Sequence, residues 1–374
     1  MPLAFFAVTQ NTTGQNPRGL FDSAPNQGNV FRFYNDGGGV GANNAIEFWN
    51  NNPSATYNLT DAGTVVTAFG TKQGGNRRLQ AWANGTAQVD AAGNATGVRV
   101  ENPRLGTVNG DLNFGFNGDM AEVIYFNNAI NEAQRIIIEN YLAAKYGLNL
   151  TANDYLTAGT FYHDIIGVGR ANNNNLHTES RAGGLVLRQG AAGFPANGIH
   201  KYLFAGHANT PHGTSTADLP AGVIERWQRV FYLEKTNVIN ASVAFSYQDA
   251  FGTLCPRSIS ASDYVLLFRS NTSGAFSAVV GASATIVDDE VRFDLTDAQI
   301  QTGYYTLGLN NLTTGIRLYS RNATCPGGCN WDDVNSWTTT NDGSGAAAGI
   351  TPNGCMDVVI LNGHRVQTTA DNRA

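Results

Sequence analysis

The stretch Gly118-Asp119-Met120-Ala121-Glu122-Val123-Ile124-Tyr125-Phe126, running on through Asn127 to Gly147, decides the fold. Residues 120 to 126 are almost wholly apolar, with β-branched and aromatic side chains, which suits a strand buried on at least one face. Asn131 then opens a helix. It is a good N-cap, and Gln134 three residues later can complete a capping box. Ile137, Ile138, Tyr141 and Leu142 fall at helical spacing and make an apolar stripe. Lys145 sits in the last turn, where a cation suits the helix dipole, and Gly147 fits the position just past the end.

Upstream of this strand and helix the chain reads as short strands and turns. Asn29 to Tyr34 alternates, with Phe31 and Phe33 against Arg32 and Tyr34. Ala45 to Trp49 does the same, with Ile46 and Phe48 against Glu47 and Trp49. Thr64 to Phe69 is an apolar run. Arg78 to Ala83 sets Leu79, Ala81 and Ala83 against Arg78, Gln80 and Trp82, and Asn84-Gly85 then makes a hairpin turn. Leu112 to Phe116 is a further strand. Many antiparallel strands at this spacing argue for a sandwich. Met1 to Val8 has no basic stretch and too short an apolar core for a signal peptide, so it reads as an interior strand. On that reading the sequence is a fragment of a longer chain, cut at both ends, with the first strands of the sandwich missing.

Composition agrees. Only 14% of the 374 residues are charged, Gly occurs 43 times and aromatics make up 10%. Low charge with abundant Gly, Asn and Thr suits tight turns in an all-β protein, and the aromatic content excludes disorder. The net charge is −6. No basic patch is dense enough for nucleic acid, and no apolar run is long enough for a membrane-spanning helix.

The expected architecture has three parts. Residues 1–148 form the first sandwich, closed by the helix. Residues 149–313 form a second β-sandwich, with strands expected at Leu185–Leu187, Tyr202–Ala205, Trp227–Leu233, Ser242–Tyr247, Tyr264–Phe268, Val291–Leu295 and Tyr304–Leu309. Residues 314–374 begin a further β-module, in which a segment carrying Trp331 and Trp337 precedes a strand ending in Asn362-Gly363-His364.

The segment "GDMAEVIYFNNAINEAQRIIIENYLAAKYGL" and the earlier "LQAWANG" resemble laminin-G-like domains of the concanavalin A-like (jelly-roll) sandwich class in large bacterial surface proteins. The resemblance covers about residues 1 to 148 and rests on the final strand, the single helix and Lys145-Tyr146-Gly147. "DIIGVGR", "RWQRVFYLEK" and "GYYTLGL" resemble an uncharacterised β-domain that follows such modules. "IRLYSRNATCPGGCNWDDVNSWTTT" and "DVVILNGHRVQTT" resemble the start of a β-helix or sandwich module. The resemblance implies a secreted or cell-surface location. It implies little about activity, because lectins, glycosidases and structural modules share the fold.

Four cysteines are present: Cys255, Cys325, Cys329 and Cys355. The Cys325-Pro-Gly-Gly-Cys329 spacing lacks the partners of a zinc site, so in an exported chain at least one disulfide among Cys325, Cys329 and Cys355 is expected, with the pairing open. Some glycosidases of this fold carry Glu-x-Asp-x-x-Glu on one strand. Here only Asp119 and Glu122 are available, three apart and on opposite faces of an ideal strand, so no enzyme is expected. The histidines are scattered and there is no nucleophile elbow.

A binding reading remains. Arg32, Tyr34, Glu47, Trp49, Arg78, Gln80 and Trp82 all alternate away from the apolar sets. If their strands are neighbours they make a polar face bearing aromatics, suited to sugar rings and hydroxyls. The competing reading is that the helix and loops cover this face and its aromatics form a minor core. Asp22, Asn26, Asp36 and Asp119 lie near loop ends and are the candidates for calcium. The expected partner is a glycan or extracellular protein. An accessory region of a polysaccharide-degrading enzyme and a ligand-free stalk are the alternatives.

Overall fold

A computed structural model describes residues 3–11, 20–22, 31–35, 44–48, 54–57, 63–73, 76–93, 103–107, 115–156, 160–195, 199–313, 317–352 and 356–368. The protein is all-β, and among the described residues it has several antiparallel sheets and one long helix. By contact it divides into two units. The first comprises Met1–Thr178, Phe194–Gly206 and Glu234–Ile239, and the second comprises Glu179–Gly193, His207–Leu233 and Asn240–Ala374.

The first unit begins with β1 (Leu3–Asn11), β2 (Phe21–Asp22), β3 (Phe31–Asn35), β4 (Asn44–Phe48) and β5 (Ser54–Tyr57). Then come β6 (Thr64–Gln73), β7 (Asn76–Ala83), β8 (Thr86–Ala92), β9 (Arg104–Leu105), β10 (Gly118–Phe126) and α1 (Glu132–Tyr146). One sheet runs β10-β1-β6-β7-β8 and a second runs β5-β4-β3-β2-β9. β1 is interior, antiparallel to β10 on one edge and to β6 on the other.

The first six residues of β1, Leu3 to Val8, are apolar without a break because both of their faces are buried. Leu3, Phe5 and Ala7 join Leu20, Phe21, Val66, Ala68, Leu79, Ala81 and Val89 in the core between the two sheets. Ala4, Phe6 and Val8 pack the other way, with Val65 and Phe69, against Leu142 and Ala143 of α1. Each large side chain buried in these layers contributes roughly 1.5–3 kcal/mol. The order is therefore sheet, sheet, helix.

The helix forms as its sequence predicts. The Asn131 side chain accepts from the Gln134 N–H at 3.0 Å, and the Gln134 side chain accepts from the Asn131 N–H at 2.9 Å. Gly147 ends the helix with φ 65°, a left-handed conformation that glycine adopts without strain. Burial departs from the expected stripe. Ile137 and Leu142 are buried, Ile138 and Tyr141 only partly, and Arg135, Glu139 and Asn140 are buried as well. The first unit continues with β11 (His163–Arg170) and β12 (Leu176–His177), so α1 has a second neighbour. At Gly167 a Cβ would stand 2.9 Å from Phe204 and 3.2 Å from Ile137, so this glycine lets β11 approach the helix.

The second unit contains β13 (Glu179–Ala182) and β14 (Leu185–Gln189). After β15 (Lys201–His207) come β16 (Thr214–Ser215), β17 (Glu225–Trp227), β18 (Phe231–Thr236), β19 (Ala241–Ser246) and the short helix α2 (Tyr247–Phe251). β20 (Tyr264–Arg269), β21 (Ser277–Ala278), β22 (Ala284–Val287), β23 (Glu290–Leu295) and β24 (Gly303–Leu309) follow. One sheet runs β13-β14-β19-β23-β22. In the other, β24 holds β20 along one edge and β18 and β17 along the opposite edge. Aromatic side chains join the two sheets: Phe245 of β19 meets Phe231 edge-on at 6.2 Å and Trp227 at 5.4 Å.

Beyond β24 the pairing changes. β25 (Arg317–Ser320), β26 (Cys329–Asn330), β27 (Trp337–Thr338), β28 (Asp357–Val359) and β29 (Val366–Gln367) are short. β25 pairs with β28, and β26 with β29, both in parallel. Trp337 is fully buried against Trp331, with its indole N–H donated to the Trp331 carbonyl. Cys325 and Cys329 form a disulfide.

Candidate functional site

The residues proposed from sequence as a ligand face lie in two different sheets. Arg78, Gln80 and Trp82 are on β7, whereas Arg32, Tyr34 and Glu47 are on β3 and β4. Arg32 pairs in register with Glu47, and Tyr34 with Ala45. Trp49 lies outside the described residues.

On β7 the alternation holds, with Leu79 and Ala81 buried in the inter-sheet core. Arg78 makes a two-pronged contact with Asp90 of β8, at 2.6 and 2.5 Å, and Gln80 reaches the same carboxylate at 3.5 Å. The Arg78 hydrogen bonds hold the Asp90 carboxyl below its ordinary range. A bulge separates Ala81 from Trp82.

Trp82 is roofed by α1. Phe69 meets it edge-on at 5.0 Å, and the Arg135 guanidinium stands 4.5 Å from its centroid. Arg135 is held by Glu139 one turn on, at 2.5 Å, and Glu139 accepts from the Thr67 hydroxyl at 2.7 Å. Burial raises the Glu139 pKa, opposed by Arg135 and Thr67. The helix therefore presses the Arg135–Glu139 ion pair onto the sheet at Trp82, with the buried Arg135 Nε left without a hydrogen-bond partner among the described residues.

Asp119 is exposed on β10, opposite Gln10. The expectation that Asp119 and Glu122 face opposite ways is corrected by a second bulge. Val8 pairs with Glu122 and Thr9 with Met120, so Ala121 is the extra residue and the alternation inverts there. Met120 consequently packs on the inter-sheet core while Glu122 turns to the helix. There it accepts from Tyr141 at 3.0 Å, Lys145 at 2.8 Å and Tyr146 at 3.0 Å. By the same alternation Asp119 falls on Glu122's side.

Of the other calcium candidates, Asp22 is placed by its backbone, between Arg32 and Arg104 in register. Asn26 and Asp36 lie outside the described residues. Among the described residues no three His, Cys, Asp or Glu side chains are gathered to hold a metal ion. Among the described residues no helix is long and apolar enough to cross a membrane. Cys355 lies outside the described residues. Cys255 is itself disulfide-bonded, and no described cysteine is free.

The second unit holds a cleft of about 290 Å³. Its wall is built from residues far apart in sequence. Ser246 caps α2 by accepting from the Asp249 N–H at 3.1 Å, and Gly252 closes the helix at φ 67°. This single turn sets Tyr247 and Phe251 against Trp227 of β17. Trp227 meets Tyr247 at 5.3 Å and Phe251 at 5.2 Å, both nearly perpendicular. Tyr264 of β20 adds a fourth ring to the lining. Its hydroxyl donates to the Ser258 carbonyl at 2.9 Å and accepts from the Ser258 N–H at 2.6 Å, so it offers the cleft its ring alone. Burial pushes the Tyr247 and Tyr264 phenols up, so both stay neutral.

Trp227 is 4% exposed and Phe251 39%, which makes Phe251 the accessible ring. At the rim the Arg257 guanidinium lies 3.0 Å from the Glu225 carboxylate, and Thr214 and Thr253 also border the space. An aromatic surface beside planar polar groups was the signature sought in the first unit. Here it depends on β17, α2, the loop at Arg257 and β20 coming together, which strand alternation cannot reveal. The one local signal is the Ser246 cap ahead of Tyr247 and Phe251, four residues apart.

A second, more polar hollow of about 530 Å³ lies at the end of α1 in the first unit, bordered by Lys145, Asn149, Asn153, Tyr155 and Tyr162. Lys145 is committed to Glu122 and Tyr141, whose hydrogen bonds raise its pKa.

No family profile matches the chain, and no curated protein matches its sequence. Solved structures similar to it include the mouse laminin alpha1 chain, domains LG4-5. The identity is 11% and the TM-score 0.26, over 83% of this chain and 76% of that one. Another, described as "HCR/D-Sa-GBL1/C", gives 10% identity and a TM-score of 0.28, over 83% and 82%. Scores this low carry no argument, so function is argued from the chain's own residues.

Proposed function

We propose that this chain is a non-enzymatic binding segment of a secreted or cell-surface bacterial protein, and that it takes a glycan in the cleft of its second unit. The observation that carries the reading is the half-exposed Phe251 ring, backed by Trp227 and Tyr247 and bordered by the Glu225–Arg257 pair. A ring of this kind covers the C–H face of a sugar, while a carboxylate and a guanidinium exchange hydrogen bonds with its hydroxyls. The bonded state of the described cysteines suits an oxidising compartment. Calcium is part of the proposal only as an accessory, through Asp22, Asn26, Asp36 or Asp119.

The test is a glycan-array screen of the full chain, with and without calcium, beside Phe251→Ala and Trp82→Ala, each checked for folding by circular dichroism. Binding lost in Phe251→Ala and kept in Trp82→Ala supports the cleft. Loss only in Trp82→Ala moves the site back to the β7 face.

A second reading, a spacer without a ligand, draws on the parallel pairing of β25 with β28 and β26 with β29. Parallel pairing of short strands is a feature of extended repeat modules. Folded chain that binds no glycan in either condition would favour it.

A further inference from the structure

The cleft's geometry goes beyond the glycan reading, on which it rests, and limits the class of sugar. At about 290 Å³ the space is at the small end for ligand sites, which commonly run from roughly 300 to 1,000 Å³. It has room for about one ring, not for a chain lying lengthwise. The aromatic side chains do not enclose a cation. Trp227, Tyr247 and Phe251 stand 5.2–5.6 Å apart and pack directly on one another. What they offer is one apolar surface.

The charges around it are spent. Arg257 and Glu225 neutralise each other at 3.0 Å. Arg226 is also in the wall, but its guanidinium is turned into the protein. It donates from Nε to the Ala217 carbonyl at 2.9 Å and from Nη1 to the Trp227 carbonyl at 2.8 Å, with Asp218 at 3.7 Å. Arg226 has no donor turned to the cleft and the charge of the half-exposed Arg257 is balanced by Glu225, so a carboxylate or sulfate would shed its water against no net positive charge. The Glu225–Arg257 pair instead places an acceptor beside donors, the complement of two neighbouring sugar hydroxyls, one donating and one accepting.

We infer that the cleft takes a single terminal ring of an uncharged glycan end-on, and that Glu225 and Arg257 read a pair of adjacent hydroxyls on it. The probes are methyl glucoside, methyl galactoside, methyl mannoside and methyl glucuronide, with affinities measured by saturation-transfer NMR on the full chain. At least one neutral glycoside is expected to bind at least ten times more tightly than the glucuronide. Glu225→Gln is expected to weaken the neutral ligand at least tenfold. Because it frees Arg257, it should also raise glucuronide binding relative to the neutral sugar.

Glucuronide binding equal to the neutral sugars, or a Glu225→Gln variant with an unchanged ratio, overturns the inference. It also fails if oligosaccharides bind and none of the four glycosides competes with them. If Phe251→Ala leaves binding intact, the cleft is not the site and the glycan reading of it fails first. Absence of binding by the folded chain overturns both.

Discussion

Two tryptophans, each with aromatic neighbours, meet opposite fates in this protein. Trp82 stands on the side of β7 away from the inter-sheet core, where a chain read strand by strand leaves room for a ligand. α1 fills that room and sets Arg135 over the ring. Trp227 is more deeply buried, yet the turn of α2 beside it leaves Phe251 partly open. Whether an aromatic surface can receive a ligand is therefore decided by what the chain brings over it. Exposure of the tryptophan itself says little.

The strongest way to break the comparison is to remove the roof. Arg135→Ala strands Glu139 in the interior with Thr67 as its remaining side-chain partner and uncovers Trp82. It should destabilise the protein by about 4 kcal/mol, read by urea unfolding. A loss under about 1 kcal/mol would mean that water reaches Glu139 and solvates it in place of Arg135. Trp82→Ala should cost about 3 kcal/mol and leave glycan binding unchanged, the mark of a packing role.

Asn131→Ala removes the helix cap and should cost about 1 kcal/mol, again without touching the cleft. Phe251→Ala inverts the pattern: stability falls by less than about 1 kcal/mol while binding falls at least tenfold in the NMR titration.

The smallest effect is a pH dependence at the foot of the roofing helix. Asn140 accepts from the N–H groups of Asp154 and Tyr155, and Asp154 in turn meets His200 at 2.8 Å. The hydrogen bond to Asp154 raises the His200 pKa against the effect of burial. The contact's full contribution is present below the unfolded value of about 6.5 and is lost as pH rises through the higher folded value. The stability gap between the wild type and His200→Ala should shrink between pH 6 and pH 8. A gap that grows over that interval would show that the neutral ring is the stabilising form.

The contrast also explains what could be read in advance. The helix and both of its caps were legible because capping is local, between Asn131 and Gln134 and at Gly147. The alternation of Leu79 and Ala81 was legible because strands have period two. The bulges at Ala121 and beside Trp82 were not, since an extra residue leaves no mark in composition. Nor was the burial of Arg135, Glu139 and Asn140, polar residues outside the apolar stripe of Ile137, Ile138, Tyr141 and Leu142. Their partners, Trp82, Thr67 and the 154–155 backbone, come from elsewhere in the chain. The separation of Arg32 and Glu47 from Arg78 and Gln80 into two sheets is a fact of topology, invisible to alternation. The second-unit cleft was hidden for the same reason.

β1 carries a consequence for how the protein is made. It leaves the ribosome ahead of both its neighbours, and its pairing is complete only when Phe126 emerges to meet Ala4. Its outer face waits longer, for Leu142 and Ala143. Through that interval a strand apolar on both sides is exposed to every other nascent chain nearby, and loop closure over so long a separation is slow. Until α1 is in place β1 has no cover on its outer face, so a chain cut after Phe126 should aggregate on dilution from urea under conditions in which the full chain refolds.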